Sequence, residues 1–176
     1  MMEKPFVIRG LLRALTGALL LGSTLCFAQL ADSDAEWVEE APPSPPVFSR
    51  EKLIPVDMPP YVSIKVGVDP ETIVVGKDGV VRYVVVMVNT TGSVSASFEG
   101  IRCNTDEFKV YARMGSSAIW SAVTNPQWKD LTANMPSRHS HALARQGTCE
   151  GRTATTKDEI LRALTRTQKG LKPPVW

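Results

Sequence analysis

Glu99 lies in a strand-like run, Phe98-Glu99-Gly100-Ile101-Arg102-Cys103, and period-two alternation puts Glu99, Ile101 and Cys103 on one face. If Ile101 and Cys103 face a covering layer, the carboxylate points into that layer and needs a partner. Arg82 and Arg113, on adjacent strands, are the candidate cross-strand neighbours, whereas Arg102 faces the other way. Two chemistries follow. Arg82, Glu99 and Arg113 could form a pocket for a small anion or a carbohydrate, or Glu99 with neighbouring arginines could serve a small hydrolase or lyase. The commoner outcome is a structural ion pair that satisfies a partly buried acid, and this is the favoured expectation.

Other reactive side chains point to less. His139 and His141 are two apart, so on a helix they diverge by about 200° and cannot share an ion. No metal site and no cofactor are expected. Ser137 and Ser140, near His139, default to helix-cap and surface roles, and no strand-Gly-x-Ser-x-Gly-helix elbow is present. Trp120 and Trp128 with Tyr111 could line a sugar platform, although aromatic residues beside sheet ends are more often core.

The start of the chain reads as an export signal over residues 1–28: basic Lys4, Arg9 and Arg13, an apolar stretch from Ala14 to Leu25, then Cys26-Phe27-Ala28. The stretch is short for a permanent anchor, and no second hydrophobic run follows. Leu25 stands where lipid attachment at Cys26 needs a small residue, so lipidation is not expected. Removal of the signal leaves two cysteines, Cys103 and Cys149. A disulfide between them fits an oxidising compartment, the periplasm, and on the chain-entropy model is worth ~4 kcal/mol. A redox pair would sit two residues apart at a helix start, and this pair does not.

Without residues 1–28 the chain carries 17 basic and 17 acidic residues. Five of the acids (Asp32, Asp34, Glu36, Glu39, Glu40) crowd residues 29–49, so residues 50–176 hold 17 basic against 12 acidic, a net of +5. Basic runs with interleaved aromatic residues are absent, and no nucleic-acid partner is expected.

The elements that must position these groups follow in order. Residues 29–60 form an acidic, proline-rich arm, with Pro42, Pro43, Pro45 and Pro46 excluding helix and internal strand. Trp37, Val47, Phe48, Leu53 and Ile54 suggest that it lies on something, its own domain or a partner. Residues 61–170 read as a single α+β domain and 171–176 as a tail. Runs rich in Val, Ile, Tyr and Phe, separated by short turns, predict an antiparallel β-meander of about five strands. Tyr83 to Val88 is apolar on both faces, so that strand is central and covered on each side, or by a helix and the arm. Two C-terminal helices follow, one from Ser137 to Arg145 closed by Gly147, the other capped by Thr156 with Glu159 in a reciprocal box. Together with the disulfide this predicts the sheet packed against the helices.

Several blocks resemble the cryptic neisserial protein 1-like family: Phe98 to Cys103, Lys109-Val110-Tyr111-Ala112-Arg113, Leu53-Ile54-Pro55, Val68-Asp69-Pro70, Asp78 to Tyr83, and Arg138-His139 before Cys149. The resemblance covers roughly residues 36–165. It implies a small exported bacterial protein and brings no active site with it. The leading expectation is a periplasmic, non-enzymatic binding or assembly module whose partner is an envelope protein or a small anionic or carbohydrate ligand. A subunit docked into an envelope complex through the arm is a further reading.

Overall fold

The computed structural model describes residues 36–134 and 138–167. The expected signal, Cys26, the cap Ser137 and the tail 171–176 lie outside the described residues. The compact unit containing the described residues begins at Glu36, so residues 36–60 belong to it.

Its frame is an antiparallel sheet of β1 (Ile54–Pro55), β2 (Lys65–Val68), β3 (Val74–Val75), β4 (Val80–Val88), β5 (Val94–Arg102), β6 (Glu107–Met114), β7 (Trp120–Ala122) and β8 (Lys129–Asp130). The main path is β1-β2-β4-β5-β6-β7, with β3 on β4 and β8 on β6. From β4 to β7, sequence neighbours joined by short turns pair in order, which is the expected meander. β2 starts at Lys65, after a turn in which Pro59 O accepts from Val62 N at 2.8 Å. Pro55 sits on the edge strand β1, where a missing donor costs no ladder bond.

The helical side consists of α1 (His139–Leu143), a wide π turn over Ala144–Thr148 and, after the two-residue strands β9 (Cys149–Glu150) and β10 (Thr153–Ala154), α2 (Lys157–Thr167). The expected helix from Ser137 to Arg145 is therefore shorter and unwinds into the π turn, where Gly147 takes φ 131°. The capping box of α2 forms as expected: Thr156 N donates to Glu159 Oε2 at 3.0 Å and Glu159 N to Thr156 Oγ1 at 3.4 Å. Among the described residues no helix is long and apolar enough to cross a membrane.

The sheet is buried on both faces. Val81, Tyr83 and Val85 of β4 pack with Ile101, Cys103 and Phe108 against Leu143, Ile160 and Leu164 of the helices. Val84 and Val86 pack with Phe98 and Tyr111 against Leu53 and Phe48, both from the arm. The doubly apolar Tyr83–Val88 run is thus covered by helices on one side and by the arm on the other. Cys103, one residue past β5, is disulfide-bonded to Cys149 with a Cα–Cα distance of 5.6 Å, and this pins the helical layer to the sheet.

Candidate functional site

Two polar clusters lie on opposite faces of this sheet, and the parity of β4 separates them. The β4–β5 register pairs Tyr83 with Glu99 and Arg82 with Gly100. Tyr83 and Glu99 therefore face the helices, whereas Arg82 faces the arm. The expected grouping of Arg82, Glu99 and Arg113 is not formed.

On the helical face Glu99 is 1% exposed. His139 Nε2 lies 2.9 and 3.0 Å from its two carboxylate oxygens, and Ser140 Oγ and the Tyr83 hydroxyl donate to it at 3.1 and 3.2 Å. Burial pushes the Glu99 carboxyl up, but the His139 charge and the hydrogen bonds outweigh it and hold the group below its ordinary value. Burial likewise pushes His139 down, and the Glu99 carboxylate outweighs it and raises the imidazole above its ordinary value. Tyr83 is raised well above the usual phenol range by burial and by Glu99. The result is a charged pair with donors on every side.

Ser140 is buried beside the buried His139 and is not the cap or surface residue expected from its sequence context. Arg138, with φ 52°, delivers the chain into α1 so that its first two side chains reach the sheet. Arg113 is exposed at the rim of this cluster, and its charge works against protonation of His139. A β-bulge places it there, since Phe98 pairs with Ala112 but Glu99 pairs with Val110, leaving Tyr111 as the extra residue. Tyr111 and Ala112 both face the arm, and Arg113 turns to the Glu99 side.

On the arm face Arg82 is 3% exposed and donates to both Asp78 carboxylate oxygens, at 2.7 and 3.2 Å, and to Glu40 O at 2.9 Å. Glu40 N donates back to Asp78 Oδ2 at 2.9 Å, and the Trp37 indole N–H to Asp78 O at 2.8 Å. The Glu39 carboxylate accepts from the Tyr111 hydroxyl at 2.8 Å and the Trp128 indole at 3.2 Å and pairs with Lys109, with Arg82 Nη2 at 4.0 Å. Trp37 lies under the Arg102 guanidinium at 3.6 Å and edge-on to Trp128 at 5.9 Å. Burial and the Glu39 bond both raise the Tyr111 phenol.

Two glycines leave room for this cluster. A Cβ on Gly100 would stand 2.7 Å from the Tyr111 hydroxyl oxygen, and one on Gly76 would meet Asp78, Arg82 and Glu40. Trp128 and Tyr111, weighed as a sugar platform, hold the Glu39 carboxylate instead. Trp120 packs edge-on to Phe48 of the arm.

Three surface depressions lie elsewhere: one against α2 and Cys149, one between Phe48 and the β5–β6 ends, one between β3 and Lys157. Glu99 lines none of the three. Among the described residues no group of His, Cys, Asp or Glu side chains is arranged to hold a metal ion.

A family model described as CNP1-like matches residues 32–165. The chain belongs to the CNP1-like family. No curated protein and no solved structure matches it. The family match spans both polar clusters, from Trp37 of the arm to Ser140 of α1. Sequence reasoning missed the arm cluster, although one signal for it was present: five acids in the arm against a body with a net charge of +5.

Proposed function

We propose that this CNP1-like chain works in the bacterial periplasm as a non-catalytic binding or assembly module. The observation that carries this reading is the enclosure of Glu99, 1% exposed and held by His139, Ser140 and Tyr83. A general acid or base must come within hydrogen-bond reach of a substrate atom, and a carboxylate with its oxygens engaged inside the protein does not. This weighs against the hydrolase or lyase reading. The Cys103–Cys149 bond supports an oxidising compartment, and the basic-then-apolar start of the chain supports export.

The reading of a subunit docked into an envelope complex through the arm gains less support, because Leu53 and Phe48 of the arm pack on the chain's own sheet.

The test has two arms. In cells, the tagged full-length chain should fractionate with the periplasm and show no thiol open to alkylation before reduction; a cytoplasmic chain with free thiols overturns the compartment. In vitro, the wild type and Glu99→Gln should be indistinguishable across ester, glycoside and phosphoester substrates. Turnover that Glu99→Gln abolishes in a folded chain overturns the non-catalytic reading.

A further inference from the structure

We propose that Arg82, Lys109, Tyr111 and Trp128 form a peptide site for a partner's acidic segment, an aromatic residue two positions before a glutamate, which the chain's own Trp37–Glu40 occupies in cis. This deepens the binding-module reading and rests on it.

The donors belong to the sheet and its loops, and Lys109, Tyr111 and Trp128 converge on one carboxylate that the arm supplies. Tyr111 and Trp128 donate to separate oxygens of Glu39 while Lys109 pairs with it. The occupant is read as a peptide and not merely as an anion. Its backbone N–H and C=O at Glu40 are taken by Asp78 and Arg82, and its Trp37 ring fills a slot between Arg102 and Trp128. Val38, between the two anchors, is 78% exposed. The site therefore specifies an aromatic residue and a glutamate and leaves the position between them open, a combination of main-chain bonds and alternate side-chain pockets that extended peptides commonly use.

The occupant can leave without opening the core. The first arm residue that packs on either apolar cluster is Phe48. Residues 37–40 are separated from it by the Pro42–Pro46 run, a semi-rigid tether. Arg82 Nε has no hydrogen-bond partner among the described residues. A partner's segment must outcompete a tethered occupant that acts at an effective concentration on the order of millimolar.

The experiment uses the full chain carrying Trp37→Ala and Glu39→Ala, which empties both anchors, and a fluorescein-labelled peptide copying residues 36–41. Anisotropy should show saturable binding to the emptied variant, at least ten-fold tighter than to the wild type, whose own arm competes. Binding should weaken at least ten-fold for the peptide with Glu39→Gln, and likewise when Lys109→Ala is added to the emptied chain. Absence of saturable binding to a variant that still melts cooperatively, or equal binding of the Gln peptide, overturns the proposal. If the double variant loses its cooperative melt, Glu39→Gln alone is the host and the same readings apply. A wild-type dimer in sedimentation that the double variant loses would name a second copy of this chain as the occupant and overturn the partner assignment. Failure of the peptide leaves the exported, non-catalytic module standing, because compartment and Glu99-dependent turnover are read separately.

Discussion

Glu99 on the helical face of the central sheet and Glu39 on the arm face, which also holds Asp78, each sit among hydroxyl, aromatic and cationic groups, and the two differ in what carries the acid. Glu99 comes from β5 itself, is 1% exposed, and takes its donors from β4 and α1 under a layer bonded by Cys103–Cys149. Glu39 comes from the arm, its side chain is 19% exposed, and all of its donors belong to the sheet body or Trp128. Similar hydrogen-bond chemistry thus has two consequences. The first carboxylate leaves only if the core opens; the second leaves with a short polar segment, in the way local opening proceeds at the low-stability parts of a fold. Recognition belongs on the face where the acid can be exchanged.

The contrast is most exposed to failure at Glu99. Glu99→Ala leaves His139, Ser140 and Tyr83 without their shared acceptor in the interior, and loss of one partner of a buried pair typically costs about 3–5 kcal/mol. Denaturant titration should find that range, with Glu39→Ala well below it. Equal losses would mean that the arm is as integral as the core and would remove the distinction. Cys103→Ala with Cys149→Ala should cost about 2–4 kcal/mol. Hydrogen exchange should place the loosening in α1, the π turn and β9 and leave the arm protected, since the bond joins only the helical layer to the sheet. Loss of arm protection in that variant would couple the faces.

Much of the fold was legible because its determinants are local. The Gly76–Gly79 and Asn89–Gly92 turns, the doubly apolar β4 and the Thr156–Glu159 box are each set within a few residues. The sites were less legible because they depend on register. Alternation along β5 placed Glu99 toward the helices, but the placing of Arg82 on the other face needed the β4–β5 pairing that opposes Tyr83 to Glu99. Arg113 reaches the Glu99 side only through the extra residue Tyr111 in β6, which no periodicity announces. His139 and Ser140 meet Glu99 across some 40 positions of chain, a distance over which local cap chemistry says nothing.

Smaller effects are expected on the arm face. Glu39→Gln keeps the shape and removes the charge, so about 1–2 kcal/mol is expected from weakened bonds to Lys109, Tyr111 and Trp128. Limited proteolysis should read it as faster cutting within residues 36–48 with little change in the global melt. Gly100→Ala tests the same cluster from beneath. Its Cβ would crowd the Tyr111 hydroxyl and Val80, so Tyr111 must shift from Glu39, and the arm should loosen in the same assay. Slower cutting in either variant would mean that Glu39 strains the arm and does not anchor it.

The smallest effect is expected from pH, and it separates the faces without any change on the arm. Glu99 is held below its ordinary 4.5, so its contribution is present above that value and is lost as pH falls through the folded pKa. His139 is held above its ordinary 6.5, so its contribution is complete below 6.5 and is lost as pH rises through the folded pKa. The pair therefore stabilises most between 4.5 and 6.5. On the alkaline side a neutral imidazole protonated at Nε2 still donates to Glu99, so the charge attraction is lost while the hydrogen bond remains. The melting temperature should fall modestly through that step, and His139→Gln should flatten it. On the arm face burial opposes the Arg82 charge, but the Asp78 bond outweighs it and raises Arg82 further above the physiological range, and Tyr111 is raised as well. Arm protection, followed by proteolysis of residues 36–48, should not share the His139 midpoint. A common midpoint would show that the sheet transmits the interior charge to the arm, and the two carboxylates would then have to be treated as one coupled system.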